Sequence, residues 1–295
     1  MIRFSKIYPK YKYPLGFLRL LSAYYKYFDH PVIDFKNPQL AGFLGLNGHQ
    51  TFISSLRNKH KGERGFIIAN GPGLNKLDTS KLKDEITLGC NGIYSNFSKW
   101  GFHTDYYFIE DNVQVELRTK QVKKIKGPIK FTGLHNSYCF PFFNDMHFFH
   151  TPIRGQMQYI VEEVYPEFSR DIGSIVYLGS TITFVMLQFA YHLGFDEIYL
   201  VGLDHNYGKL PKLFPPGKIE VTKENYPLIQ ECHFDKEYFK IGDVMGVPDV
   251  KSKELGYAEA KKVIEANGRK VFNASIDSKL DVFDKIDYDS LFLNN

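Results

Sequence analysis

The apolar positions of the chain fall into short runs separated by polar breakers. Such runs occupy residues 66–69, 86–90, 106–109, 129–132, 175–178, 198–201 and 270–273. Runs of four or five residues that are largely apolar predict strands buried on both faces, as in a parallel sheet. Helical periods lie between them. Residues 179–193 are apolar nearly all round, through Val185, Met186, Leu187, Phe189, Ala190 and Tyr191. They predict a long buried helix, opened by Ser180, Thr181 and Thr183 and stopped by Gly194. Residues 249–267 predict an amphipathic helix with Leu255, Ala258, Ala260, Val263 and Ile264 on its apolar stripe. Shorter helices are expected near 50–59 and 77–82. Residues 140–170 are rich in phenylalanine without a clear period, and predict loops and a helix covering part of the sheet. Residues 279–291 predict a partly helical tail. Strands alternating with helices over 61–295 imply one Rossmann-like α/β domain, with a mostly parallel sheet and helices on both faces.

Two stretches depart from that pattern. Residues 1–60 form a basic, aromatic appendage in which Lys6, Lys10, Lys12, Arg19 and Lys26 alternate with tyrosines and large apolar residues. Residues 14–28 predict an amphipathic helix that either packs on the main domain or lies on an anionic membrane surface. Residues 209–245 are rich in proline and lysine and lack a core pattern. A segment this long predicts a lid or a disordered loop.

Composition narrows the class. Of 295 residues, 43% are hydrophobic and 16% aromatic, enough for a substantial core and against global disorder. The net charge of +4 is a mild excess, suited to an anionic ligand or membrane surface, and does not point to nucleic acid. Cys90, Cys139 and Cys232 are far apart with no C-x-x-C pair, so neither a zinc site nor a disulfide framework is expected. No apolar run reaches the ~18 residues a membrane span needs, and no signal peptide opens the chain. The expected setting is cytoplasmic, with peripheral contact at the inner membrane face through residues 1–30.

The candidate chemistry gathers at strand ends. The first run closes on Asn70, Gly71, Pro72 and Gly73, which reads either as an ordinary tight turn or as a phosphate or nucleotide site. The second run ends at Asn91 and the third at Asp111. The run at 198–201 leads into Gly202, Asp204, His205 and Tyr207. In a parallel sheet these ends share one edge, where ligands bind. Ser180 and Thr181 would add hydroxyls at a helix start, as anion ligands or as simple caps. The lid segment carries His233, Tyr226 and Tyr238. Histidine suits a general base because its unperturbed pKa, about 6.5, lies near working pH. Asp287-Tyr288-Asp289 is a literal D-x-D, but it sits in the tail, far from any strand end.

Taken together, Asn70-Gly71-Pro72-Gly73-Leu74, Cys90-Asn91 and the segment from Leu193 to Asp204 resemble the bacterial sialyltransferases that cap lipooligosaccharides. They also resemble the related group of 6-hydroxymethylpterin diphosphokinases. The first resemblance implies transfer of a sialic-acid-like sugar, nonulosonic or Kdo-type, from a CMP donor to a glycan or glycolipid acceptor at the cell surface, with inversion and without a metal or other cofactor. It implies Asn70 and Gly71 near the donor phosphate, Asn91 by the nucleotide or sugar, Thr181 close to the donor and His233 as the base. Beside it, the strand ends and helix start themselves nominate Pro72, Gly73, Asp111, Ser180, His205 and Tyr207 around the donor, Tyr226 and Tyr238 as donors to the leaving phosphate, and Asp204 with His205, a rival base, among the catalytic candidates. The second resemblance implies an ATP- and Mg²⁺-dependent diphosphokinase, with Asp111 and Asp204 on the metal. Gly73 stands where the sialyltransferases usually have serine. The oligomeric state is left open.

Overall fold

The computed structural model describes residues 48–140, 143–151 and 167–293. The basic stretch proposed for membrane contact lies outside them. Eight strands form one sheet in which every pairing is parallel. They are β1 (Arg64–Ile68), β2 (Ile86–Cys90), β3 (Tyr106–Phe108), β4 (Ile129–Gly133), β5 (His147–Phe149), β6 (Glu197–Val201), β9 (Lys270–Asn273) and β10 (Asp284–Lys285). Two further strands, β7 (Gly217–Glu220) and β8 (Val244–Val247), pair antiparallel outside it. The order across the main sheet is β10-β9-β6-β1-β2-β3-β4-β5. The chain runs outward from β1 to β5, then returns to the other side of β1 at β6. That reversal opens a crevice beyond the ends of β1 and β6, the usual ligand position in such sheets.

Alternation along each strand sorts its side chains onto two faces. Phe66 and Ile68 enter one apolar cluster, with Tyr107, Ile109, Tyr199 and Val201. Ile67 and Ala69 enter the other, with Leu88, Phe108, Ile198 and Leu200. Five helices are named here: α1 (His49–Ser55), α2 (Asn112–Val122), α3 (Ile182–Leu193), α4 (Tyr226–Gln230) and α5 (Val250–Glu265). Helices α3 and α5 cover the second face, through Phe184, Leu187 and Phe189 and through Tyr257, Ala260 and Ile264. Helix α3 is buried nearly all round, as its composition predicts. Its start is one turn later than expected: Thr181 is the cap, and Ser180 lies outside in a left-handed turn at φ 61°. Gly194, at φ 97°, ends it in a conformation glycine adopts without strain.

Several expectations are corrected. Residues 175–178 form no strand. Gln188 on α3 occupies their backbone instead, its Oε1 accepting from Tyr177 N and Ser169 N at 3.0 Å and its Nε2 donating to Tyr177 O at 2.6 Å. Strand β5 and helix α2 were not anticipated. In α2 the apolar residues Val113, Val115 and Leu117 alternate, a strand-like period, and its stability comes from the Asp111 cap and from packing. The segment expected to be a lid or a disordered loop carries β7, α4 and β8 and folds against the sheet. Leu210, Val221, Ile229, Phe234, Tyr238, Phe239 and Met245 are buried in the cluster on the first face. The tail contributes β10 and one 3-10 helix, Asp289–Phe292, and so is partly helical as expected. None of the helices among the described residues is long and apolar enough to cross a membrane.

Candidate active site

A cavity of about 130 Å³ lies in the crevice at the β1–β6 switch. It is lined from β1 by Asn70 and Gly71 and from β2 by Cys90 and Asn91. Gly202 to Tyr207 line it after β6, Thr181 to Thr183 at the start of α3, and Tyr257 on α5. Cys232, His233 and Tyr238 close it from the ordered segment that follows α4, called the lid below. Of the sequence-predicted residues, Asn70, Gly71, Asn91, Thr181, Asp204, His205, Tyr207, His233 and Tyr238 are thus brought together. Five are not. Pro72 and Gly73 belong to the turn behind the wall, Ser180 is exposed, and Asp111 caps α2 by accepting from Val113 N and Gln114 N at 3.0 and 3.1 Å. Tyr226 directs its hydroxyl to Lys236 O at 3.2 Å.

The turn after β1 is not an open phosphate cradle. Gly71 N donates to Gly202 O at 2.8 Å, and Gly73 N donates to Asp204 Oδ2 at 2.5 Å. The carboxylate of Asp204 stands where an anion was expected. A Cβ at Gly71 would lie 2.6 Å from Gly202 O and 2.7 Å from the Asp204 carboxyl carbon, so the turn needs glycine for close approach. Burial raises the Asp204 pKa above the ordinary carboxylate value, while the Gly73 N–H opposes that rise.

The asparagines are held in different ways. Asn70 Nδ2 donates to Cys90 O at 3.2 Å and to Cys90 Sγ at 3.1 Å, tying β1 to β2. Burial pushes the Cys90 thiol up to about 12, which leaves it unreactive near neutral pH. Asn91 holds a left-handed backbone at φ 50°, and its carbonyl accepts from Tyr107 Oη at 2.5 Å. The amide oxygens of Asn70 and Asn91, Asp204 Oδ1 and His205 Nδ1 are all buried without a partner. Buried polar atoms are ordinarily bonded, so four unpartnered polar atoms around one cavity mark a place for a ligand's polar groups.

The opposite side is rich in donors. The first N–H groups of α3 face outward from its N-terminus, where the helix dipole favours negative charge. Tyr257 Oη lies 3.4 Å from Thr181 Oγ1. Lys253 Nζ donates to Tyr207 Oη at 3.1 Å and also sits over that ring. Neither Lys253 nor Tyr257 was singled out from sequence, because on an amphipathic helix they read as ordinary surface and core residues.

The lid is fastened over the strand ends. Phe234 N donates to Asn70 O at 3.0 Å, Asn75 Nδ2 donates to Phe234 O at 2.7 Å, and Gly92 N donates to Tyr238 Oη at 3.2 Å. The guanidinium of Arg118 lies 4.2 Å from the Tyr238 ring centroid and donates to Tyr238 O at 2.8 Å. The same ring stacks on His233, with centroids 4.2 Å apart. His233 Nδ1 donates to Ile229 O at 3.3 Å, which leaves Nε2 with its lone pair. Burial pushes the His233 pKa down to about 4, with Arg118 and Lys253 adding to that effect, so the ring is neutral at pH 7. Among the described residues, no three histidine, cysteine or acidic side chains are grouped to hold a metal.

Comparison with known proteins gives the following. No curated protein matches the chain. The MAf glycosyltransferase from Magnetospirillum magneticum AMB-1 aligns at 12% identity with a TM-score of 0.44, covering 84% of this chain and 39% of that one. The chain therefore spans about two fifths of that structure's length. The sialyltransferase CstII from Campylobacter jejuni, solved with the substrate analogue cytidine-5'-monophosphate, aligns at 13% identity with a TM-score of 0.43, covering 77% of this chain and 85% of that one. The family match spans residues 46–209, more than half the chain and all the strands from β1 to β6, and the protein belongs to the 6-hydroxymethylpterin diphosphokinase MptE-like family.

Proposed function

We propose that the protein is a glycosyltransferase that moves a sialic-acid-like sugar, nonulosonic or Kdo-type, from a CMP donor to a glycan or glycolipid acceptor of the cell surface, with inversion. One observation carries the reading: the cavity at the switch point has two unlike sides. The orphan oxygens of Asn70 and Asn91 match the amino and hydroxyl groups of a nucleoside and sugar. The start of α3, with Tyr207 and Tyr257, matches a phosphate. His233 Nε2 sits above them as a proton acceptor. In the step itself, the acceptor hydroxyl oxygen bonds the anomeric carbon as the bond from that carbon to the phosphate oxygen breaks. The hydroxyl proton passes to His233, and CMP leaves with the bonding electrons. At about 130 Å³ the cavity holds only part of such a donor, since ligand sites usually reach about 300 Å³ or more. Residues 232–239 therefore lift to admit the donor and close again to exclude water. Peripheral membrane contact through residues 1–30 would bring a lipid-linked acceptor to the site.

The family match keeps a second reading in play, an ATP- and Mg²⁺-dependent diphosphokinase. The residues fit it less well. Asp111 is engaged as a helix cap and Asp204 holds Gly73, so the two carboxylates do not share one site. A screen of donor hydrolysis separates the readings, using CMP-sialic acid, CMP-Kdo, UDP- and GDP-sugars and ATP, each with and without EDTA. Hydrolysis of a CMP-sugar that survives EDTA is expected. Turnover of ATP with a pterin alcohol, lost on adding EDTA, would replace this reading with the second.

A further inference from the structure

His205 occupies an unusual position in the cavity wall. Its backbone is left-handed at φ 51°, a conformation costly for a non-glycine residue. Among the described residues five non-glycines have positive φ, and two of them, Asn91 and His205, line this cavity. The His205 side chain is 2% exposed. Its Nε2 lies 3.0 Å from Glu254 Oε1 on α5, and its Nδ1 is buried with no partner. A carboxylate only accepts, so Nε2 carries the proton, and in the neutral ring of this cavity-lining residue Nδ1 keeps a bare lone pair. The ring is held edge-on against Tyr207 and Tyr257, at centroid distances of 5.5 and 6.1 Å. It therefore stands on the donor-rich side, where the proposed function puts the phosphate. A lone pair repels a phosphate oxygen. An imidazolium backed by Glu254 attracts it.

We infer that His205 and Glu254 form a proton-loading anchor for the phosphate of a nucleoside monophosphate. When the phosphate enters, His205 takes up one proton from solvent, its Nδ1–H donates to a phosphate oxygen, and its Nε2–H remains on Glu254. The inference rests on the reading that a nucleotide phosphate enters this cavity. The charged and titratable neighbours set its direction. Burial, and to a smaller degree Lys253, holds the His205 pKa below its ordinary value, while Glu254 pulls it back up. Tyr207 and Tyr257 flank the ring, Cys232 and His233 face it from the lid, and Asp204 precedes it with its Oδ2 held by Gly73. A dianionic phosphate supplies the charge that reverses the balance.

The test is calorimetric titration of the full chain with CMP and with cytidine, at pH 7.5, in two buffers of different ionisation enthalpy. For the wild type, CMP binding should take up close to one proton and cytidine binding none. His205→Asn keeps a residue that tolerates left-handed backbone. It should abolish uptake and weaken CMP at least tenfold, with cytidine affinity unchanged. Glu254→Gln, at a position 46% exposed, is the second variant and should reduce both uptake and CMP affinity. CMP binding without proton uptake, or uptake unchanged in both variants, overturns the anchor and leaves the glycosyltransferase reading standing. Failure of the wild type to bind CMP overturns both.

Discussion

Asn70 and Asn91 border the cavity on the β1–β2 side, and His205, Tyr207, Lys253 and Tyr257 border or back it on the β6–α3–α5 side. The two sides are held by different means. On the first, the Asn70 amide is held by bonds to the Cys90 carbonyl and thiol, and the Asn91 backbone carbonyl by Tyr107 Oη. Nothing there titrates near neutral pH. On the second, a histidine–glutamate pair, an ammonium and two phenols lie in contact. Under the proposed function, a ligand would be read on one side by the positions of its donors and gripped on the other by charge. The first interaction would be indifferent to pH and salt, and the second would depend on both.

That contrast breaks most visibly at the lid. His233→Ala should lower turnover of a CMP-sugar by roughly a hundredfold or more, the usual contribution of a general base, with CMP affinity nearly unchanged. Near-normal turnover in a steady-state assay would take His233 out of the mechanism and leave the two sides to act alone. Asn70→Ala comes next. It should weaken CMP by about tenfold, the cost of one lost polar contact, and equally at pH 6 and pH 8 in titration calorimetry. A pH-dependent loss would mean that the neutral side is not neutral.

The folded state itself should respond to acid. His233 and His147 are both pushed down to about 4 by burial, against 6.5 when unfolded. The unfolded chain therefore binds more protons between those values, and stability falls as pH drops from about 6.5 towards 4. His147 stacks on Phe52 at 3.9 Å, well removed from the cavity, so His147→Phe should flatten the fall in melting temperature without altering CMP affinity. The smallest effect is expected of Asp111→Ala. It should cost about 1 kcal/mol of stability through the lost cap on α2 and leave CMP affinity intact. Loss of affinity in that variant would return Asp111 to the site.

Much of this was legible in the chain. Strands buried on both faces are mostly apolar, so β1, β2, β4, β6 and β9 stand within two residues of their predicted ends. Polar residues that close such strands are conspicuous, and Asn70, Asn91, Asp204 and His205 were nominated on that ground. What escaped depends on contacts between distant residues. Asp204 meets Gly73 across 131 positions, and no local pattern says that this carboxylate fills the turn. Gln188 reads as one polar residue on an apolar helix, yet it replaces the pairing of an expected strand. Glu254 and Lys253 look like solvated charges until α5 is laid beside β6. In the lid, Phe234, Tyr238 and Phe239 follow no period, because they fill a shape rather than a helical face or a strand.

The clasp between Phe234 and the end of β1 has one more effect. The carbonyl that receives Phe234 N belongs to Asn70, whose own side chain borders the cavity. Under the proposed function, traffic through the doorway would be tied to the grip inside: swinging residues 232–239 away would break the bond to the Asn70 carbonyl, so that exit of a spent nucleotide would loosen the same residue that borders it.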